Sequence, residues 1–156
     1  MKNYFFLSTL IMSMSFSITS SAQDEALRKK QFNLDDNIAV SGYDPVAYFK
    51  LNKAVKGSKS LAVYHSGVTY YFSSVENKEE FKKNPAKYEP QYGGWCAYAM
   101  GAKGEKVSVD PETFKIIDGK LFLFYNSFFN NTLKSWNKDE KNLKTKADAN
   151  WIKIYR

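Results

Sequence analysis

Three side chains in this sequence have the chemistry to bind a soft metal ion. His65 is the only histidine, Cys96 the only cysteine, and Met100 the only methionine outside the first fourteen residues. Thiolate and thioether ligands select Cu(I), and imidazole suits copper and zinc alike. The set predicts a copper site in which Cys96 is the anchoring thiolate, Met100 the second soft ligand, and His65 the third ligand or an outer partner. A zinc site would also need an acid such as Asp44 or Glu89.

The same residues are also typical of an ordinary core. Cysteine is among the most buried residue types, and methionine often fills gaps between other apolar side chains. Cys96 and Met100 are four residues apart beside Trp95 and Tyr98, so on a helix they would form one apolar stripe. A lone histidine such as His65 is more often hydrogen-bonded than metal-bound. Both interpretations stay open at this point.

A third possibility makes Cys96 a nucleophile with His65 as its base. A helix amino terminus lowers the pKa of a thiol, and Gly94-Trp95-Cys96 places the sulfur in a first turn. No recognisable Asn or Asp motif orients the pair, and the residues around Cys96 differ from those of papain-like proteases. We therefore predict that the protein is not an enzyme.

Two hairpins should position these residues. Ser66-Gly67 separates two runs rich in aromatic and β-branched residues, and Asp118-Gly119 separates two more. Two-residue turns ending in glycine are strong hairpin signals. The run 121–125, Leu-Phe-Leu-Phe-Tyr, is apolar throughout, which is typical of a strand buried on both faces.

Short helices fill the intervals. Ser73 and Glu76 form a capping-box pattern for a helix that ends before Pro85. The other predicted elements are a helical turn over 46–49, a turn over 85–88, a helix over 95–100 ended by Gly101, a strand over 106–109, a helix capped by Asn126 that runs through Trp136, and a helix over 143–152. The fold class is therefore α+β, a small single domain of short β-hairpins interleaved with short helices.

Residues 1–22 resemble a secretory signal peptide. Lys2 precedes a short apolar centre, and Ser20-Ser21-Ala22 matches a cleavage site before Gln23. The apolar stretch is shorter than the ~20 residues that a membrane span needs. We expect an exported, periplasmic or extracellular protein with no membrane span in the mature chain. We expect residues 23–40 to be a loosely held polar lead-in, and 41–156 to form the domain.

Charge and cysteine content exclude other classes. The net charge is +7, and it falls to about +6 without Lys2, but lysines and acids are mixed along the chain. That pattern favours a solvated basic surface over a nucleic-acid site. A single cysteine rules out an internal disulfide, so stability must come from packing, which the 17% aromatic content supplies.

Four blocks of the sequence resemble one known family. They are GYDPVAYF (42–49), YHS (64–66), YYFSS (70–74) and NPAKYEPQYGGWCAY (84–98), and the likeness extends to ADANW (147–151). In this order they are similar to the secreted, stand-alone form of the YHS domain family. The resemblance implies a metal-binding module, with copper as the suspected metal in a storage, delivery or sensing role. Many YHS modules that are attached to other proteins have two cysteines, whereas this chain has one.

The alternative function needs no metal. An aromatic-rich surface would bind a small ligand or another envelope protein, and Cys96 would be a purely structural core residue. The candidate aromatic residues are Tyr43, Tyr48, Tyr64, Tyr70, Tyr71, Tyr92, Trp95 and Tyr98.

Overall fold

The computed structural model describes residues 16–156, and side chains from residue 22 onward. Most of the expected signal peptide, residues 1–15, lies outside the described residues. Within them the chain forms short helices and strands, which confirms the predicted α+β class. The helices are α1 (Phe16–Gln31), α2 (Ala47–Leu51), α3 (Val75–Lys83), α4 (Pro85–Tyr88), α5 (Ala97–Lys103), α6 (Thr132–Trp136) and α7 (Glu140–Ile154). The strands are β1 (Leu34–Asp35), β2 (Ile38–Ala39), β3 (Ser58–His65), β4 (Val68–Phe72), β5 (Asp110–Ile117), β6 (Lys120–Phe124), β7 (Asn126–Ser127) and β8 (Asn130–Asn131).

Both predicted hairpins are confirmed. Ser66 and Gly67 link β3 to β4 with φ values of 46° and 87°, and Asp118 and Gly119 link β5 to β6 with φ values of 52° and 69°. A turn in which both central residues have positive φ matches the right-handed twist of its flanking strands. β4 also pairs in parallel with β2, giving a four-stranded sheet of order β1-β2-β4-β3.

Strand β6 is buried on both faces, as its sequence predicted. Leu121 and Leu123 belong to one hydrophobic cluster, and Phe122 and Phe124 belong to a second. None of the four side chains is more than 1% exposed. The first cluster is built mainly from the four-stranded sheet, α2 and α3, and the second from α5, α6 and α7. Because residues alternate between faces along a strand, β6 joins the two clusters into one domain.

Helix α5 runs further than predicted. It begins at Ala97 and ends at Lys103, and the residue after it, Gly104, has a φ of 71° and donates its backbone N–H to the last turn. Gly101, the expected terminator, lies inside the helix. A Cβ at this position would be 2.5 Å from the carbonyl oxygen of Leu143, so Gly101 instead permits close packing of α5 against α7.

The segment expected to be a loose lead-in is held firmly. Arg28 is only 8% exposed. Its guanidinium donates to the carbonyl of Ser66 at 2.9 Å and pairs with Glu89. Glu89 also accepts a hydrogen bond from Tyr70 at 2.7 Å. A buried charge needs such partners, and these attach α1 to the β3–β4 turn and to the segment after α4.

Three local predictions are wrong. Residues 106–109 form no strand, and the first strand after α5 begins at Asp110. The cap of α3 is Ser74, whose side chain accepts from the backbone N–H of Asn77, while the Ser73 hydroxyl donates to Asp44. Residues 126–131 form the β7–β8 hairpin where a helix was expected.

The remaining helix predictions are confirmed. α2 and α4 occupy the two predicted turns, and α7 includes the predicted 143–152 and extends beyond it at both ends. No helix in the described part of the chain is long and apolar enough to cross a membrane.

Buried tyrosines should make the fold sensitive to alkali. Burial raises the pKa of the Tyr48, Tyr70 and Tyr92 phenols above the ordinary value of 10. The unfolded chain releases these protons near pH 10 while the folded chain keeps them, so stability falls as pH rises past about 10. Urea titrations followed by circular dichroism, at about pH 8 and about pH 11, should show this loss. Tyr48→Phe should reduce the loss of unfolding free energy between these two pH values. Wild type with the same unfolding free energy at both pH values would contradict the prediction.

Candidate functional site

Cys96 occupies the position immediately before α5. The chain reaches it through a tight turn in which Tyr92 and Gly93 have φ values of 56° and 60°. The backbone N–H of Cys96 donates to the carbonyl of Val107 at 2.9 Å, and its carbonyl accepts from Met100 at 3.0 Å. The backbone is therefore fixed on both sides of the sulfur.

The thiol belongs to a closed ring of hydrogen bonds. Sγ accepts from the backbone N–H of Tyr125 at 3.3 Å and lies 3.4 Å from the hydroxyl of Thr132. That hydroxyl donates its single proton to the carbonyl of Tyr125 at 2.7 Å. The thiol proton is therefore the one shared between Cys96 and Thr132. The ring ties the start of α5 to the end of β6 and to the start of α6.

Met100 is on the next turn of α5 and is fully buried. It belongs to the second cluster, with Phe122 and Trp136. Its carbonyl accepts a hydrogen bond from the side chain of Asn150 in α7 at 2.9 Å. The structure therefore places Cys96 and Met100 on consecutive turns and gives Met100 extensive packing contacts.

His65 lies in the other half of the domain. It is the last residue of β3, and its ring packs edge-on against Phe81 with the centroids 6.0 Å apart. Phe81 belongs to the first cluster, on the opposite side of β6 from the cluster that contains Met100. No hydrogen bond or ring contact among the described residues joins His65 to Cys96 or Met100.

The acids considered as further zinc ligands are occupied by other partners. Asp44 accepts from the backbone N–H of Val46 at 2.9 Å and from the side chains of Ser73 and Asn77 at 2.6 and 2.7 Å. Glu89 pairs with Arg28. In the described residues, no group of three or more His, Cys, Asp or Glu side chains is arranged to hold a metal ion.

A cleft of about 400 Å³ opens beside the hydrogen-bonded ring. It lies between α5, the irregular segment 104–109 and the β7–β8 hairpin. Its lining comprises Cys96, Tyr98, Ala99, Ala102, Lys103, Glu105, Val107, Tyr125, Asn130 and Thr132. Of the three predicted metal ligands, Cys96 alone is in this lining, and it is 0% exposed to solvent. The cleft therefore borders Cys96, although the residue itself is shielded from solvent.

No protein-family model, curated protein or solved structure matches this chain. The likeness to the YHS family therefore stays a resemblance carried by the sequence blocks alone.

Most of the cleft was not predictable from residue spacing. Tyr98 was among the aromatic candidates, but Val107 and the hairpin segment 125–132 meet α5 only in the folded chain. Tyr48, Tyr70 and Tyr92 from the same candidate set are instead buried in the two clusters. Within the hairpin segment, Tyr125 is the one cleft residue that the sequence pattern marked, because it ends the continuous apolar run 121–125.

The buried thiol should react slowly. Because Cys96 has no exposed surface, alkylation by iodoacetamide requires the site to open, and we expect a rate at least about 100-fold below that of an exposed thiol. Ala102→Cys in a Cys96→Ser background supplies that control, because Ala102 is exposed on the same helix. Mass spectrometry of timed samples measures both rates. Equal rates would show that the thiol is accessible in the folded protein.

Proposed function

We propose that this protein is an exported, non-enzymatic binding module of the YHS type, and that the cleft beside Cys96 holds a small organic ligand. The observation that carries the proposal is the cleft itself. Its volume falls in the range of about 300–1,000 Å³ that is usual for small-molecule sites.

The lining indicates the chemical class of the ligand. Ala99, Ala102 and Val107 offer apolar surface, and the rings of Tyr98 and Tyr125 add aromatic surface. Such walls favour an aromatic or aliphatic body over a sugar or a phosphate. Polar groups are also present in the lining: Lys103, Glu105, Asn130 and Thr132. A ligand with one or two polar substituents on an apolar body would satisfy both parts of the lining.

The hydrogen bonds of Cys96 support binding over catalysis. A nucleophilic thiol needs a base within hydrogen-bond reach. The partners of Cys96 are instead the Thr132 hydroxyl and the Tyr125 backbone N–H, and the only histidine packs against Phe81. In this proposal Cys96 shapes the wall of the cleft and holds Tyr125 and Thr132 in place.

Filling the cleft should weaken binding. The fluorescent probe 8-anilinonaphthalene-1-sulfonate combines an aromatic body with one anionic group, and we expect it to bind and to shift the amide NMR signals of Val107 and Tyr125. Ala102→Trp should weaken this binding at least about tenfold, because the new ring occupies the cleft. Ala149→Trp is the matched control, since Ala149 is exposed on α7 and is outside the lining. Equal binding by wild type and Ala102→Trp, or shifts confined to other regions, would refute the proposed site.

Copper(I) is the second candidate, favoured by one observation: the thiol of Cys96 borders the cleft and the thioether of Met100 follows on the next turn. Anaerobic titration with Cu(I) against a competing chelator tests it. A site at these residues should give a thiolate charge-transfer band at one equivalent that vanishes in Cys96→Ser. Absence of the band in wild type would remove copper from consideration and leave the organic ligand.

A further inference from the structure

The β7–β8 hairpin exposes two phenylalanines at its tip. Its strands pair Asn126 with Asn131 and Ser127 with Asn130, so the turn consists of Phe128 and Phe129 alone. The relative exposures of the two residues are 100% and 106%, the highest of the exposed large apolar residues in the described part of the chain. Two adjacent exposed rings are unusual on a protein surface, where large apolar residues are normally scattered singly.

The backbone of the tip is also unfavourable. Phe128 has a φ of 50°, a conformation that bulky residues rarely adopt. Glycine, asparagine or aspartate would form such a two-residue turn with less strain. Neither packing nor turn geometry therefore accounts for a phenylalanine at position 128. Strained residues that the fold does not require are concentrated at functional sites.

Hydrogen bonds hold the base of the hairpin. The backbone N–H of Thr132 donates to the carbonyl of Tyr125 at 3.0 Å, which closes the hairpin at its foot. The side chain of Asn126 donates to the Thr113 hydroxyl at 3.0 Å, and that of Asn131 accepts from the backbone N–H of Leu133 at 3.1 Å. The two rings are thus held outward by a fixed support.

The charge of the residues around the tip indicates what kind of surface it could contact. The four residues between the rings and the foot, Asn126, Ser127, Asn130 and Asn131, are uncharged, so no ion must be desolvated when the tip enters an apolar phase. Lys134 is exposed on the helix that follows the hairpin. Lys103 and Glu105, which have opposite charges, line the same cleft as Asn130, and the chain without residues 1–22 carries a net charge of about +6.

We propose that Phe128 and Phe129 insert into the headgroup region of an anionic lipid bilayer, to which the net positive charge of the protein attracts it. Apolar side chains supply binding through buried area, and each nearby lysine adds attraction to anionic lipid. A convex tip on a hydrogen-bonded hairpin enters an interface without rearrangement of the fold. Insertion of the tip does not depend on a ligand in the cleft.

Vesicle flotation tests the proposal with protein purified from the exported fraction. We expect wild type to bind vesicles of phosphatidylglycerol and phosphatidylcholine, to bind pure phosphatidylcholine vesicles less, and to bind less at high salt. Phe128→Ser combined with Phe129→Ser should lower the partition coefficient at least about tenfold, because the apolar area is lost. The thermal midpoint of this variant should match or exceed that of wild type, since the rings make no packing contacts.

Matched variants separate the tip from other effects. Leu51→Ser with Ile152→Ser removes two other exposed apolar side chains, which are 61% and 66% exposed, and should leave vesicle binding unchanged. Ala102→Trp fills the cleft and should also leave it unchanged. The proposal is overturned if wild type fails to bind anionic vesicles, as a tip that serves only a protein partner would predict, or if the double tip variant binds them as wild type does.

Discussion

Burial of both faces of strand β6 is the constraint on which the rest of the structure depends. Its four apolar residues alternate in direction, so each face must be covered by a separate set of side chains. The four-stranded sheet with α2 and α3 covers one face, and α5, α6 and α7 cover the other. Leaving either face exposed would put two large side chains in water, at a cost of about 1.5–3 kcal/mol each. The strand thereby makes one domain of two clusters, and it also keeps their residues apart.

Buried polar groups fix the segments around this strand. The Asp44 carboxylate, which is 0% exposed, joins the start of α2 to the end of β4 and to α3 through side-chain and backbone donors. Arg28 joins α1 to the β3–β4 turn and to Glu89. Among the described residues no buried side-chain nitrogen or oxygen lacks a hydrogen-bond partner, which is the condition for burying a charged group without a large loss of stability. Residues 23–40 are consequently part of the folded body.

The cleft and the aromatic tip are consequences of the way β6 ends. Tyr125 follows the last buried residue of the strand, and its backbone groups hold both the thiol of Cys96 and the hydroxyl of Thr132. The hydrogen-bonded ring of Cys96, Tyr125 and Thr132 lies at the foot of the β7–β8 hairpin and forms one wall of the cleft. Asn130 contributes to both features, so a protein docked through Phe128 and Phe129 would hold the mouth of the cleft close to the lipid surface.

The sequence alone determined the features that depend on neighbours along the chain. The glycine turns, the doubly buried strand, the short helices and the α+β class all follow from local torsional preference and from the spacing of apolar residues. Tertiary structure decided which of the two hydrophobic clusters, one on each face of β6, a residue packs against. His65 packs against Phe81, while Met100 joins the opposite cluster, although the three predicted metal ligands lie in one stretch of sequence. Gly101 was expected to end a helix, but it lies inside α5 and permits contact with α7. Asn126 was expected to cap a helix, but it begins strand β7. Contacts with distant segments, such as that of Gly101 with Leu143 and that of the Asn126 side chain with Thr113, can outweigh local preferences of about 1 kcal/mol or less, and spacing alone does not reveal them.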